Sequence, residues 1–115
     1  MRLQPLLLSV LSVSMLAACV EEAVTVSCDH SDHPALQKCD EYTLARSQLG
    51  HLEEFCGVGG GSWAEDTCPS GSLGGCVISS GDVDSIVYYY RGTLHSDEAA
   101  VMESCAVIGG EYVAP

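Results

Sequence analysis

The chain has 115 residues, 16 Asp+Glu against 4 Lys+Arg for a formal charge of -12, and seven cysteines. That length holds one small domain at most, and the shortage of Lys and Arg argues against nucleic acid or an anionic lipid surface as a partner, because phosphates are held by basic clusters. Seven cysteines are too many for an ordinary reduced cytosolic protein, and the odd count singles one of them out.

Met1 and Arg2 form a minimal basic start, followed by an apolar stretch from Leu6 to Leu16 broken only by Ser9, Ser12 and Ser14. This stretch is too short to cross a hydrocarbon core of about 30 Å but suits the h-region of a signal peptide. It ends in Leu16-Ala17-Ala18-Cys19, which resembles the bacterial lipobox. That resemblance implies a signal peptide over 1–18, diacylglycerol on the Cys19 thiol, cleavage before Cys19 and acylation of the new amino terminus. Each buried CH₂ contributes about 0.8 kcal/mol, so two or three acyl chains hold where one would not. The expected mature chain, 19–115, keeps three basic and sixteen acidic side chains and an even six cysteines. Val20 is not the Asp that retains such proteins in the inner membrane, so export to the outer membrane is expected.

Residues 19–33 are polar, acidic toward their end and without an amphipathic period, and are expected to be a lipidated tether. The domain is expected over 34–115, where the sequence repeats itself. Cys56-Gly57-Val58-Gly59-Gly60-Gly61-Ser62-Trp63 and Cys105-Ala106-Val107-Ile108-Gly109-Gly110-Glu111-Tyr112 both read C-x3-G-G-x-aromatic, 49 residues apart. Upstream, Tyr42 lies 14 residues before Cys56 and Tyr90 lies 15 before Cys105. The segments between are helical by period, with stripes Ala45, Leu49, Leu52, Cys56 and Val101, Cys105, Ile108. Asp97 and Glu98 sit where a helix N-terminus favours acids, and Gly50 weakens the middle of the first helix. The Gly-Gly pair stands where a helix stops, since glycine takes positive φ without a Cβ clash. The aromatic two residues later begins a strand. Between the repeats, Gly74 to Ile78 and Ser85 to Tyr90 read as strands joined by a turn at 79–82. The fold class expected is α+β: a small antiparallel or mixed sheet carrying two helices related by a pseudo-twofold axis.

A domain of this size has a core that supplies only about 3–5 kcal/mol, and exported domains offset the deficit with disulfides. Six cysteines (Cys28, Cys39, Cys56, Cys68, Cys76, Cys105) permit fifteen pairings, which sequence alone does not resolve. The preferred set is Cys28–Cys39, Cys56–Cys68 and Cys76–Cys105, because Cys56 and Cys105 lie on the buried helix stripes facing strands. No C-x-x-C occurs, so a thioredoxin-type dithiol has no sequence support.

Cys28-Asp29-His30-Ser31-Asp32-His33 gathers weak metal candidates, namely Asp29, His30, Asp32 and His33; a site on a tether would carry an ordering cost. Asp82-Val83-Asp84 lacks the glycine and the glutamate of an EF-hand. Gly60-Gly61-Ser62-Trp63-Ala64 approaches a nucleophile elbow, but it follows a helix and its counterpart for Ser62 is Glu111. The glycines of 57–61 precede no helix N-terminus that could bind phosphate. In Tyr88-Tyr89-Tyr90, alternate rings lie on opposite sheet faces; Tyr89 with Trp63 and Tyr112 is a candidate surface for a sugar or peptide. The carboxylates pair into no acid/base couple.

From Cys39 to Tyr112 the chain resembles a group of short, cysteine-rich bacterial lipoproteins of the myxobacterial type: C-x2-Y, helix, C-x3-G-G-x-aromatic, C-P, G-x-C, a tyrosine-rich strand and the glycine motif again. Here these are Cys39–Tyr42, Cys56–Trp63, Cys68-Pro69, Gly74–Cys76, Tyr88–Tyr90 and Cys105–Tyr112. The group brings no activity, cofactor or catalytic residue. The expectation is a non-enzymatic envelope protein without cofactor, held to the membrane through its N-terminal lipid and serving as a structural or protein-interaction module. The alternative is an envelope lipoprotein that binds a sugar, peptide or metal.

Overall fold

The computed structural model describes residues 21–80 and 83–115. Cys19, the signal segment and Gly81-Asp82 of the expected turn lie outside the described residues. The elements are β1 (Ala23–His30), β2 (Lys38–Ala45), a 3-10 turn (Arg46–Gln48), α1 (Leu52–Val58), β3 (Ser62–Ala64), β4 (Gly74–Ser80), β5 (Val83–Tyr89), α2 (Glu98–Val107) and β6 (Glu111–Val113). All six strands form one antiparallel sheet in the order β3-β1-β2-β5-β4-β6. The α+β class holds, and the sheet is wholly antiparallel.

Each half is a hairpin, a helix and a third strand that returns to the far side of the hairpin's first strand. Cys28 of β1 stands between Asp40 of β2 and Trp63 of β3; Cys76 of β4 stands between Val87 of β5 and Tyr112 of β6. The expected pseudo-twofold is therefore present, but its register differs from the sequence alignment. Tyr42 corresponds to Tyr89, not Tyr90, because Asp40 corresponds to Val87.

The tether expected over 19–33 is not a tether from Ala23 onward. Ala23–His30 is an inner strand, paired on both sides, and Val26, Ser27 and Cys28 are buried. The physical reason is a period of two: Val24, Val26, Cys28 and His30 alternate with polar side chains and line one face. Glu21 fixes the entry to this strand, accepting from the Ser47 backbone N–H at 2.7 Å and hydroxyl at 2.5 Å.

The first helix is shorter than its stripe. Ala45 closes β2, and Gly50 at φ +52° turns the chain before α1 begins at Leu52. In the second, Val101 and Cys105 are buried as expected, but Ile108 is the helix cap and is 54% exposed. Asp97 is the N-cap, its carboxylate accepting from Ala100 N–H at 2.9 Å, and Glu98 opens the first turn. Such a cap contributes about 1 kcal/mol.

The glycine pairs end both helices in the same way. Gly60 and Gly109 have φ of +78° and +74°. Gly61 N–H donates to Cys56 C=O and Gly60 N–H to Gly57 C=O; Gly110 donates to Cys105 and Gly109 to Ala106. These are two Schellman motifs, each with a cysteine at the carbonyl that closes the longer ring. The second glycine of each pair has a different duty. A Cβ on Gly61 would meet Cys28 Sγ, with Cys56 Sγ at 2.8 Å, and one on Gly110 would meet Cys76 Sγ, with Cys105 Sγ at 3.2 Å. The motif is a helix stop pressed against a disulfide.

All six cysteines are paired, as Cys28–Cys56, Cys39–Cys68 and Cys76–Cys105. The last agrees with expectation and the first two exchange partners. Cys28 is in register with Asp40, so Cys28 and Cys39 point to opposite sheet faces. Cys28 faces α1 and bonds Cys56, as Cys76 faces α2 and bonds Cys105. Cys39 faces the other side, where the segment joining the two halves crosses and offers Cys68. That crossing is also held by Cys68 N–H on the Glu41 carboxylate at 2.8 Å and by the Tyr90 hydroxyl donating to Pro69 C=O at 2.6 Å. Sequence separations of 28, 29 and 29 residues correspond to about 3–4 kcal/mol each in the loop-entropy account.

Candidate functional site

The chemically richest place in the described residues is a cavity of about 140 Å³ on the helix-bearing face, lined by Cys28, His30, Asp40, Tyr42, Leu52, Phe55 and Cys56. β1 supplies Cys28 and His30, two residues apart and so on one face. β2 supplies Asp40 and Tyr42 beside them, and α1 forms the wall with Leu52, Phe55 and Cys56. His30 is 8% exposed. Its Nε2 lies 3.2 Å from Cys28 Sγ, its Cε1 would lie 2.7 Å from a Cβ on Gly61, and its Nδ1 has no hydrogen-bond partner among the described residues.

Asp40 is a mostly buried carboxylate, 3.4 Å from Lys38 Nζ. Burial, and after it the charge of Asp40, pushes the phenols of Tyr42 and Tyr89 above their usual range. The corresponding place in the second half carries apolar side chains at the positions of His30 and Asp40. There Ile78 stands for His30 and Val87 for Asp40. That half keeps its polar group elsewhere: His95 packs its ring 4.5 Å from that of Tyr89 and bonds Ser104 Oγ through Nε2 at 2.9 Å.

The sequence candidates separate. Trp63, Tyr89 and Tyr112 do share the helix-bearing face, but Trp63 is on β3 and Tyr112 on β6, the two edges of the sheet. Five strand spacings of about 4.8 Å keep them roughly 24 Å apart, so they form no single binding surface. Tyr112 instead lies over Gly74, where a Cβ would meet its ring.

Asp29, His30, Asp32 and His33 line a second depression of about 260 Å³ together with Gly60 and Ser62. They do not converge on a metal, and among the described residues no three His, Cys, Asp or Glu side chains do. Asp29 and His30 point to opposite faces. Asp29 accepts from Ser31 N–H at 2.8 Å, His33 Nδ1 accepts from Ala35 N–H at 3.1 Å, and Cys28 is oxidised. Ser62 is exposed on an edge strand opposite Asp29.

A third cleft, about 330 Å³, lies on the opposite face between Glu41, Tyr88 and the crossing segment from Thr67 to Ser72. Its carboxylate is already engaged by Cys68 N–H. Sequence reasoning missed Asp40 and Tyr42 as neighbours of His30. The alternation from Val24 to His30, continued as a hairpin into Cys39 to Tyr42, was the signal that could have found them.

Comparison with protein-family models, curated proteins and solved structures finds no match. The three disulfides place the folded domain in an oxidising compartment, and no helix among the described residues is long and apolar enough to cross a membrane.

Proposed function

We propose that this chain is a lipid-anchored, non-enzymatic cell-envelope protein whose disulfide-braced domain is a protein-interaction module. The anchor reading rests on the lipobox and on the pairing of the other six cysteines, which leaves Cys19 as the odd one. Resemblance to the myxobacterial-type lipoproteins and Val20 after Cys19 support the outer membrane as destination. Metabolic labelling with a radioactive fatty acid tests the anchor: Cys19→Ala abolishes the label, and a variant that still labels refutes it.

The observation that carries the interaction reading is what the helices leave outside. α1 and α2 bury Cys56, Val101 and Cys105, while Phe55, Val58, Met102 and Val107 are 68%, 83%, 51% and 82% exposed. Val58 and Val107 hold equivalent places in the two halves, three residues before the glycine pair's end. Single exposed apolar residues are ordinary, but Val58 and Val107 recur at the same position on the two helices, and each helix thereby offers an apolar docking patch. Photo-crosslinking from Val58 and Val107 in the native envelope yields one discrete adduct, and the exposed Thr43 on the other sheet face yields none. Equal capture from all three positions overturns the reading. The alternative, binding of a sugar or peptide, is favoured by the cleft beside Tyr88, whose 330 Å³ reaches the lower bound of about 300 Å³ for small-molecule sites. The His30 cavity does not reach it.

A further inference from the structure

We propose that Cys28–Cys56 is a thiol–disulfide exchange site opened by a small external dithiol, whereas its twin Cys76–Cys105 is a static brace. The two bridges are built alike, from a strand cysteine, a helix cysteine and a Schellman glycine pressed against the sulfurs. The second is therefore an internal control for the first. They differ two residues after the strand cysteine, where His30 follows Cys28 and Ile78 follows Cys76. They also differ in access. Cys28 and Cys56, 5% and 4% exposed, line the 140 Å³ cavity, while Cys76 and Cys105 are 0% and 1% exposed.

His30 Nε2 lies 3.2 Å from Cys28 Sγ. A disulfide sulfur is a weak acceptor, but a thiolate is an ionised one, and hydrogen bonds to ionised acceptors are about twice as strong. The bond from Nε2–H therefore strengthens as the S–S bond breaks. Among the described residues no group bonds Nδ1, so none of them opposes the tautomer that carries the proton on Nε2. Exchange is faster when the departing sulfur is the better stabilised thiolate. Asp40, the register partner of Cys28, would repel that charge, a repulsion that Lys38 at 3.4 Å offsets in part, and α1 contributes only Leu52, Phe55 and Cys56 to the cavity.

The step balances with a dithiol as reductant. Its thiolate attacks Cys56 Sγ, the Cys28–Cys56 bond breaks, and the electron pair leaves on Cys28 Sγ beside Nε2–H. The second thiol of the reagent loses its proton to water and attacks its own sulfur in the mixed disulfide, releasing Cys56 as a thiolate that takes a proton from water. Two electrons pass from the dithiol, now a disulfide, to the cysteine pair.

The test is graded reduction of the full oxidised chain with dithiothreitol, trapping with N-ethylmaleimide and peptide mapping, while near-UV circular dichroism confirms that the fold persists. Cys28 and Cys56 are trapped about tenfold faster than Cys76 and Cys105. His30→Ile, which installs the residue of the twin, brings the two rates together and leaves Cys39–Cys68 unchanged. His30→Gln, which keeps an N–H donor, retains the larger part of the difference. Equal rates for the two bridges in the unmodified chain overturn the proposal without recourse to any variant, and so does an unaltered rate in a folded His30→Ile protein.

Discussion

Asp40 and Val87 are register partners across β2 and β5 and are also each other's counterparts in the two halves of the chain. Only a residue pair on the pseudo-twofold axis can be both. The axis therefore passes through the middle of the sheet, and the two hairpins join edge to edge there. At that one point the halves differ in chemistry: a carboxylate meets a valine.

Replacing Asp40 by the residue of its twin exposes what the carboxylate does. Its ion pair with Lys38 is partly buried, and removing one partner of such a pair destabilises because the other charge is left uncompensated. Asp40→Val leaves the Lys38 ammonium without its counter-charge and is expected to lower the denaturation midpoint. It also lowers the phenol pKa values of Tyr42 and Tyr89, because the Asp40 charge is the second cause of their elevation, after burial. Tyrosinate absorbance during alkaline titration checks this. Unchanged titration would mean that the carboxylate is screened from both rings.

The two glycines of each motif make separable predictions. Around Gly60 a Cβ meets nothing within 4 Å, and only its φ of +78° opposes substitution. Gly60→Ala is then expected to cost about 1 kcal/mol. Gly61→Ala adds a Cβ against both sulfurs of Cys28–Cys56 and the His30 ring, an overpacking of about 1–3 kcal/mol that also slows oxidative refolding. Gly110→Ala does the same to Cys76–Cys105. Urea denaturation of the oxidised proteins ranks the three, with Gly60→Ala the mildest.

The disulfide pairing predicts which double substitutions leave free thiols. Cys28→Ala/Cys56→Ala removes one bridge and leaves no free thiol in the domain, whereas Cys28→Ala/Cys39→Ala strands Cys56 and Cys68. A thiol titration in denaturant, with Cys19 alkylated or replaced, reads zero for the first and two for the second. The reverse result would restore the pairing expected from sequence.

Much of this fold was legible because its rules are local. Glycine at positive φ after Cys56 and Cys105, Asp97 ahead of α2, and the β-branched and aromatic run into Tyr89 each follow from one or two neighbouring residues. What stayed hidden depended on register. Nothing local states that Cys28 pairs with Asp40 instead of Cys39, yet that single offset sends the two cysteines to opposite faces and decides two disulfides. β1 was overlooked because its alternating run carries Ser27, Asp29 and His30, residues that read as solvated until the partners of the strand are known. His30 owes its burial to α1 and Gly61, both far along the chain.

Tyr90 links stability to alkaline pH. Its hydroxyl donates to Pro69 C=O at 2.6 Å, holding the crossing segment to the sheet. Burial, then the charges of Asp29 and Glu41, pushes its pKa from 10.0 up to about 12. A phenol whose folded pKa is raised gives stability that is complete below its unfolded pKa. That stability is lost as pH rises through the folded value, because the folded state holds its proton where the unfolded state has released it. The domain is therefore expected to lose stability between pH 10 and about 12, a window in which most carboxylates contribute no slope. Tyr90→Phe removes the hydrogen bond at a cost of about 1 kcal/mol at neutral pH, and it flattens the fall above pH 10. Urea midpoints measured across that window separate the two effects. A slope that persists in the Phe variant would assign the alkaline transition to Tyr42, Tyr88 and Tyr89, whose phenols are raised by the same burial.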